Sequence, residues 1–298
     1  MATGQVERWI NAGATIVAPA TALSTRLFYF GYVSSRSEYE FFGIDVDTIG
    51  LGTQDYIMRS PQPLLVPLLV FALLGVGVLA LHSAVRVRTT AAVDGTSTAW
   101  TVHRFRRTAR VGKAAGGVLL TSGVVLLLMY AYVGAWALYP LVTPVLLVAG
   151  AALVAYASWL AGLLRTPAAG HSPLAGRMRN VLLVVLIAAG VLWSTATLAQ
   201  WSGRGLAQDQ AGRLADLPIV ILDTKESLVL HDPGIEETIL PASAGQTFHY
   251  RYRHLRLLIQ GHDRMFLVPD HWSPSDSTLV VSLDSSVRVR FQFQNYQR

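Results

Sequence analysis

The chain has no cysteine and almost no lysine: of its 24 cationic residues, only Lys113 and Lys225 are lysines. Without thiols there can be no disulfide, thiolate nucleophile, Cys-ligated zinc or iron–sulfur cluster. Charge is scarce as well. Asp, Glu, Lys and Arg make up 14% of the 298 residues, against roughly 25% in an ordinary soluble domain. The His-Glu-x-x-His, Gly-x-Ser-x-Gly, P-loop and Rossmann fingerprints are all missing. His231, His249, His254, His262 and His271 do not have the spacing of a zinc set. No catalytic residue, metal or cofactor is therefore expected.

Apolar residues are in excess, at 52% of the chain, and the excess lies before Trp201. A hydrocarbon core of roughly 30 Å takes about 20 apolar residues of helix. Segments 63–81, 114–135, 141–164 and 181–198 meet that length. Segment 12–33 is a weaker fifth, since it contains Thr15, Pro19, Ser24, Thr25 and Arg26. Its Ala20-Thr21-Ala22 imitates a leader cleavage site, but the apolar run resumes at Leu27, so it is read as an uncleaved span. The expected fold class is an α-helical membrane bundle of about five transmembrane helices (1–200), a stalk (201–216) and a small all-β C-terminal extracytoplasmic domain (217–298).

The cations sort by loop. Arg86, Arg88, Arg104, Arg106, Arg107, Arg110 and Lys113 lie between the second and third spans, and Arg165, Arg177 and Arg179 between the fourth and fifth. Glu38, Glu40, Asp45, Asp47 and Asp55 gather between the first two. Basic loops stay on the cytoplasmic side. A cell-membrane protein with a cytoplasmic N-terminus is expected, with everything after Trp201 outside. Topology thus accounts for the net charge of +6, and no nucleic-acid partner is implied. The expected partners are the lipid bilayer and, outside, a protein or anionic envelope component. Gly112, Gly116 and Gly123 on the third span, and Ala151, Ala155, Ser158 and Gly162 on the fourth, are the expected seams of a tight antiparallel hairpin.

Residues 34–60 are too apolar and aromatic for a free outside loop. They are expected to pack as short helical pieces against the outer mouth of the bundle and the β domain. Thr53-Gln54-Asp55 reads as a helix start with acid in its first turn. Asp45 and Asp47 are read as caps, or else as part of a cation site. One of these acids is alternatively paired with Arg26 or Arg36. The motifs Tyr29-Phe30-Gly31, Phe42-Gly43-Ile44-Asp45 and Thr53 to Ser60 resemble a segment of polytopic membrane proteins of actinobacteria. The resemblance covers about the first quarter of the chain and implies a family without implying an activity.

Asn11, Thr15, Ala22, Thr25, Arg26 and Tyr29 share one side of a helix. This stripe is expected to face other helices, either as a seam with Arg26 snorkelling outward or as an ion or substrate pathway. Beyond Leu217 the apolar period becomes two. Strands are expected at 217–222 with a hairpin partner at 227–230, at 248–252, at 255–259 and 265–268 around Gly261-His262-Asp263, and at 278–283 paired with 287–293. These would build a small antiparallel sandwich or open barrel, and residues 217–298 are expected to fold alone. Val287, Val289 and Phe291 would face inward and Arg288 and Arg290 outward, so that Arg290→Asp should be tolerated. Arg251, Arg253, Arg288 and Arg290 are candidate contacts for anionic headgroups or polymers. The expected function is non-enzymatic sensing or interaction at the envelope; the alternative is a channel or transporter component using the stripe around Arg26.

Overall fold

The computed structural model describes residues 2–93, 99–163, 173–230, 234–241, 245–273 and 276–292. In chain order the helices are α1 (Ala2–Phe41), α2 (Val46–Ile49), α3 (Thr53–Arg59), α4 (Pro61–Val93), α5 (Ala99–Leu128), α6 (Tyr130–Val133), α7 (Tyr139–Leu163) and α8 (Pro173–Gly212). The strands are β1 (Ile219–Thr224), β2 (Glu236–Ile239), β3 (Tyr250–Gln260), β4 (Arg264–Pro269), β5 (Leu279–Ser282) and β6 (Val287–Gln292). The chain divides into two compact units. One is Leu64–Leu198; the other joins both chain ends, Met1–Pro63 with Ala199–Arg298.

Among the described residues, four stretches are long and apolar enough to cross a membrane: Pro61–Val87, Arg106–Leu128, Tyr139–Gly162 and Gly176–Gly212. Leu68, Leu73, Leu79, Val118, Leu182 and Val184 stand exposed on them. Water-soluble monomers rarely show so much continuous apolar surface, and the helices are compatible with a multi-pass membrane protein. The basic segment 85–113, expected as a loop, is helical on both flanks, because α4 runs to Val93 and α5 begins at Ala99. Asp94 and Ser97 lie outside the described residues.

The expected pairing of the third and fourth spans is present as α5 against α7. Gly112 meets Ala157, Gly116 meets Gly150 and Val154, and Gly123 meets Leu147. A Cβ on Gly116 would lie 2.9 Å from the Gly150 carbonyl oxygen, so only glycine permits this approach. The partner face is Leu147, Gly150, Val154 and Ala157, spaced three, four and three. It is not the expected stripe through Ala155 and Gly162, and Gly162 faces open space. Stepping one residue along a helix turns the face by about 100°, which is enough to move one small-residue stripe out of a seam and another into it. Helix α8 touches α7 through Gly190 against Val148 and through the Thr197 hydroxyl, which donates to the Pro140 carbonyl at 3.0 Å.

In the chain-end unit, α1 continues unbroken to Phe41, so residues 34–41 extend the first helix where a separate short helical piece was expected. The expected stalk is the final part of α8. The six strands form one antiparallel sheet in the order β5-β4-β3-β1-β6, with β2 also on β3. Both β1 and β2 pair with residues 250–252, and both β1 and β4 with 255–256. Hence β2 and β4 lie end to end along one side of β3. The β3–β4 hairpin forms as expected. Residues 227–230 are not a strand, and β5 and β6 do not pair: they are the two edges.

The link between those edges explains the shape of the sheet. Only residues 283–286 separate β5 from β6, in a compact turn where the Ser286 N–H donates to Asp284 Oδ1 at 2.8 Å. In a flat sheet, four strand spacings would hold the edges about 19 Å apart. The sheet must therefore roll, and β3 bends at register shifts against β1 and β4. Inside the roll, Val220, Leu222, Tyr252, Leu255, Leu267 and Val281 form one core, with Val287 and Val289 partly buried against it. Phe291, expected inside, is 56% exposed near the end of β6.

Candidate functional site

The outer face of the rolled sheet carries two patches. The first is apolar and is covered by the N-terminal segment. Tyr39, Phe42, Ile44, Val46, Ile49 and Tyr56 share a single core with Ala207 and Leu214 of the C-terminal half and with Leu258, Ile259, Phe266 and Val268 of the sheet. Phe42 packs on Trp272 with ring centroids 4.9 Å apart, and the Thr278 hydroxyl donates to the Phe42 carbonyl at 2.7 Å. Gly261, in the β3–β4 turn, lies directly under the Ile49 carbonyl, where a Cβ would overlap it. Arg256 ties the segment between α8 and β1 to the sheet by donating to the Leu217 carbonyl at 3.0 Å while pairing with Asp270. The expected packing of segment 34–60 against the β domain is thus present, in a core that joins both ends of the chain and is separate from the core the strands make inside the roll.

The acids of segment 34–60 have local duties. Asp45 caps α2, its Oδ1 accepting from the Asp47 N–H at 3.2 Å. Asp55 sits in the first turn of α3 and accepts from the Gly52 N–H at 2.7 Å. Asp47 accepts from the Tyr32 hydroxyl at 3.2 Å. Arg36 pairs with Glu40 at 2.7 Å. Arg26 is exposed, as are Ala22 and Thr25, within a stretch of α1, residues 20–26, that is exposed on every side; further along, α1 presents Phe28 and Tyr32 to Tyr56 of α3.

Sequence reasoning passed over a polar cluster between α1 and α3. Arg59 donates to the Tyr39 hydroxyl at 2.7 Å and stands 4.0 Å from Glu38. Burial, reinforced by the Glu38 charge, pushes the Tyr39 phenol up to about 12. Burial also raises the Glu38 carboxyl, and Arg59 offsets this only in part. A carboxylate whose folded pKa is raised costs stability above that pKa. The cost disappears as pH falls to the unfolded value of about 4.3. Glu38→Gln is therefore expected to raise the melting temperature at neutral pH, with the gain shrinking as acid is added. A variant that melts at or below the parent at neutral pH would contradict this.

The second patch is charged. Asp223 on β1 is fully buried, and three arginines converge on it. Arg251 donates from Nε to Oδ1 at 2.8 Å, Arg288 from Nη2 to Oδ2 at 2.7 Å and Arg290 from Nη2 to Oδ2 at 3.1 Å. Strand register produces the convergence: Arg251 and Arg288 lie directly opposite Asp223 on the two neighbouring strands, and Arg290 lies opposite Ile221. Burial works to raise the Asp223 pKa. Hydrogen bonds from Arg251 and Arg288 and the charges of Arg251 and Arg290 outweigh it and hold the carboxyl below its usual range. Arg288 also lies over the Phe248 ring, 4.8 Å from its centroid.

Of the four arginines expected on one face, three meet. Arg253 is exposed, opposite Glu236 on β2, and takes no part. Their common partner, Asp223, was not foreseen, although an acid inside the apolar run Ile219-Val220-Ile221-Leu222 was the available signal. His254 adopts φ 63° and sits between Asp270 at 3.2 Å and Glu236 at 3.5 Å. Among the described residues no group of His, Asp and Glu is arranged to hold a metal; His231 lies outside them. No protein-family model, curated protein or solved structure matches this chain.

Proposed function

We propose that the chain is a multi-pass cell-membrane protein of about five spans, with its N-terminus in the cytoplasm. The chain-end unit would then carry a non-enzymatic sensing or interaction module outside. The observation that carries this reading is the shared core: Phe42 and Ile49, just beyond the first span, pack with Phe266 and Val268 of the sheet. A ligand on the sheet would thus act on a body that is continuous with α1 and α8, the route a signal needs to reach the membrane. The basic residues of segments 85–113 and 165–179 support the orientation. The motifs around Gly31, Asp45 and Asp55 support membership of the actinobacterial group.

The absence of native cysteine makes the orientation testable. Ser285→Cys, in the exposed β5–β6 turn, is expected to react with an impermeant thiol reagent in intact cells. Ser97→Cys is expected to react only after permeabilisation. The reverse labelling would overturn the orientation. Crosslinking in intact cells followed by pull-down then tests for an outside partner.

A further inference from the structure

We infer that Arg251, Arg288 and Arg290, with the groove beside Phe248, form a subsite for a phosphate-type oxyanion borne on a lipid headgroup or on a soluble phosphate ester. The inference rests on reading the chain-end unit as an interaction body, and it names what that body takes.

Charge balance is the first support. Among the described residues, Asp223 is the one carboxylate that these three guanidiniums touch. One negative charge against three leaves an excess of two at a single point. Donor capacity is the second. A guanidinium has five N–H groups, and Asp223 engages two nitrogens each of Arg251 and Arg288 and one of Arg290. The remaining N–H groups are held in fixed directions by that shared carboxylate and, for Arg288, by the Phe248 ring beneath it. Preorganised arginine forks suit the planar faces of phosphate and carboxylate groups.

Access is the third support. The Arg288 and Arg290 side chains are 51% and 45% exposed, whereas Asp223 has no exposure. An incoming anion therefore meets cations with their counter-ion hidden behind them. A groove of about 420 Å³ opens beside Arg288, with Leu240, Pro241 and Phe248 as apolar wall and Thr247 as a polar lining residue. It has room for the organic group that a phosphate carries. A phosphate monoester matches the excess of two charges and offers three oxygens to converging forks. A carboxylate supplies one charge and two oxygens.

The test uses purified full-length protein in two arms. In the first, glycerol phosphate is titrated calorimetrically into protein held in phosphatidylcholine nanodiscs. In the second, retention of phosphatidic acid, whose headgroup is a phosphate monoester, over phosphatidylcholine is read by native mass spectrometry from mixed micelles. Arg288→Gln is expected to weaken binding about tenfold, and Arg253→Gln, which removes the same charge outside the cluster, to leave it unchanged. Arg288→Lys keeps a cation on Asp223, so it isolates loss of the fork from loss of folding; it should also bind more weakly. Binding in the first arm assigns the site to soluble esters, and binding in the second arm alone assigns it to headgroups. No binding in either arm, or equal loss in Arg253→Gln and Arg288→Gln, would overturn the subsite. Neither result would touch the labelling that tests orientation.

Discussion

Asp223→Asn is expected to destabilise the chain-end unit by about 3 kcal/mol, the low end for breaking a buried ion pair by removing one partner. The low end applies because Arg288 and Arg290 remain half in water and recover some hydration. Asparagine fills the same space, so the loss is electrostatic: three guanidiniums are left facing one another across β1. The measurement is thermal unfolding of detergent-solubilised protein, read by protease sensitivity of the sheet. Arg290→Asp, which alternation alone would mark as harmless, is expected to destabilise as well, because it sets a second carboxylate against a buried one. The pH dependence has a definite sign. The folded pKa of Asp223 lies below its usual value. Its contribution is therefore complete above the unfolded value of about 3.9 and is lost as pH falls from there through the folded pKa. In Asp223→Asn that part of the acid sensitivity should be absent. An unaltered melting temperature would mean that the cluster stabilises nothing.

Phe42→Ala is expected to cost about 3–5 kcal/mol, the range for truncating a buried phenylalanine. Phe42 is 2% exposed and packs on both Phe41 and Trp272, so its truncation leaves a cavity in the shared core. Met58→Ala is the matched control, since Met58 belongs to the same segment but is 81% exposed; it should change stability by less than about 0.5 kcal/mol. The second readout is positional. Cysteines replacing Phe41 and Trp272, whose rings are 5.4 Å apart, should join through a short bifunctional reagent in otherwise native protein. Phe42→Ala should reduce that yield and Met58→Ala should not. Equal yields with and without Phe42 would mean that the helical segment stays on the sheet without this contact. The shared core also bears on the expectation that residues 217–298 fold alone. Such a fragment would expose Leu258, Phe266 and Val268, an apolar strip on the outer face of its own sheet.

Much of the architecture was legible because single-residue patterns report it. A run of about 20 apolar residues has few fates other than a membrane helix or a deeply buried one, and four such runs reappear as four long apolar helices. Gly116 and Gly123 announced the α5 seam, since glycine at helical spacing matters where two backbones meet. Its partner face on α7 was misplaced in part: Ala151 is buried, but Gly162, of the right size, faces open space, because helix rotation decides which small residues turn inward. The aromatic content of residues 34–60 announced that the segment must be covered, and Asp55 marked the start of α3.

What the sequence determined by itself was periodicity, length and the sorting of charge between segments, which follow from local backbone geometry and from the cost of placing polar groups in an apolar medium. Only the tertiary structure decided which distant segments meet. The alternation in Val287–Gln292 put Arg288 and Arg290 on one face, but it could not reveal that β6 lies beside β1 rather than β5. That single choice of neighbour brings both arginines to Asp223. Strand pairing of this kind is non-local: many registers satisfy the same alternation, and the one realised depends on the summed packing of the roll. The patch where three cations share one buried carboxylate exists only because residues some sixty positions apart, Asp223 and Arg288, became adjacent when the sheet closed on its core.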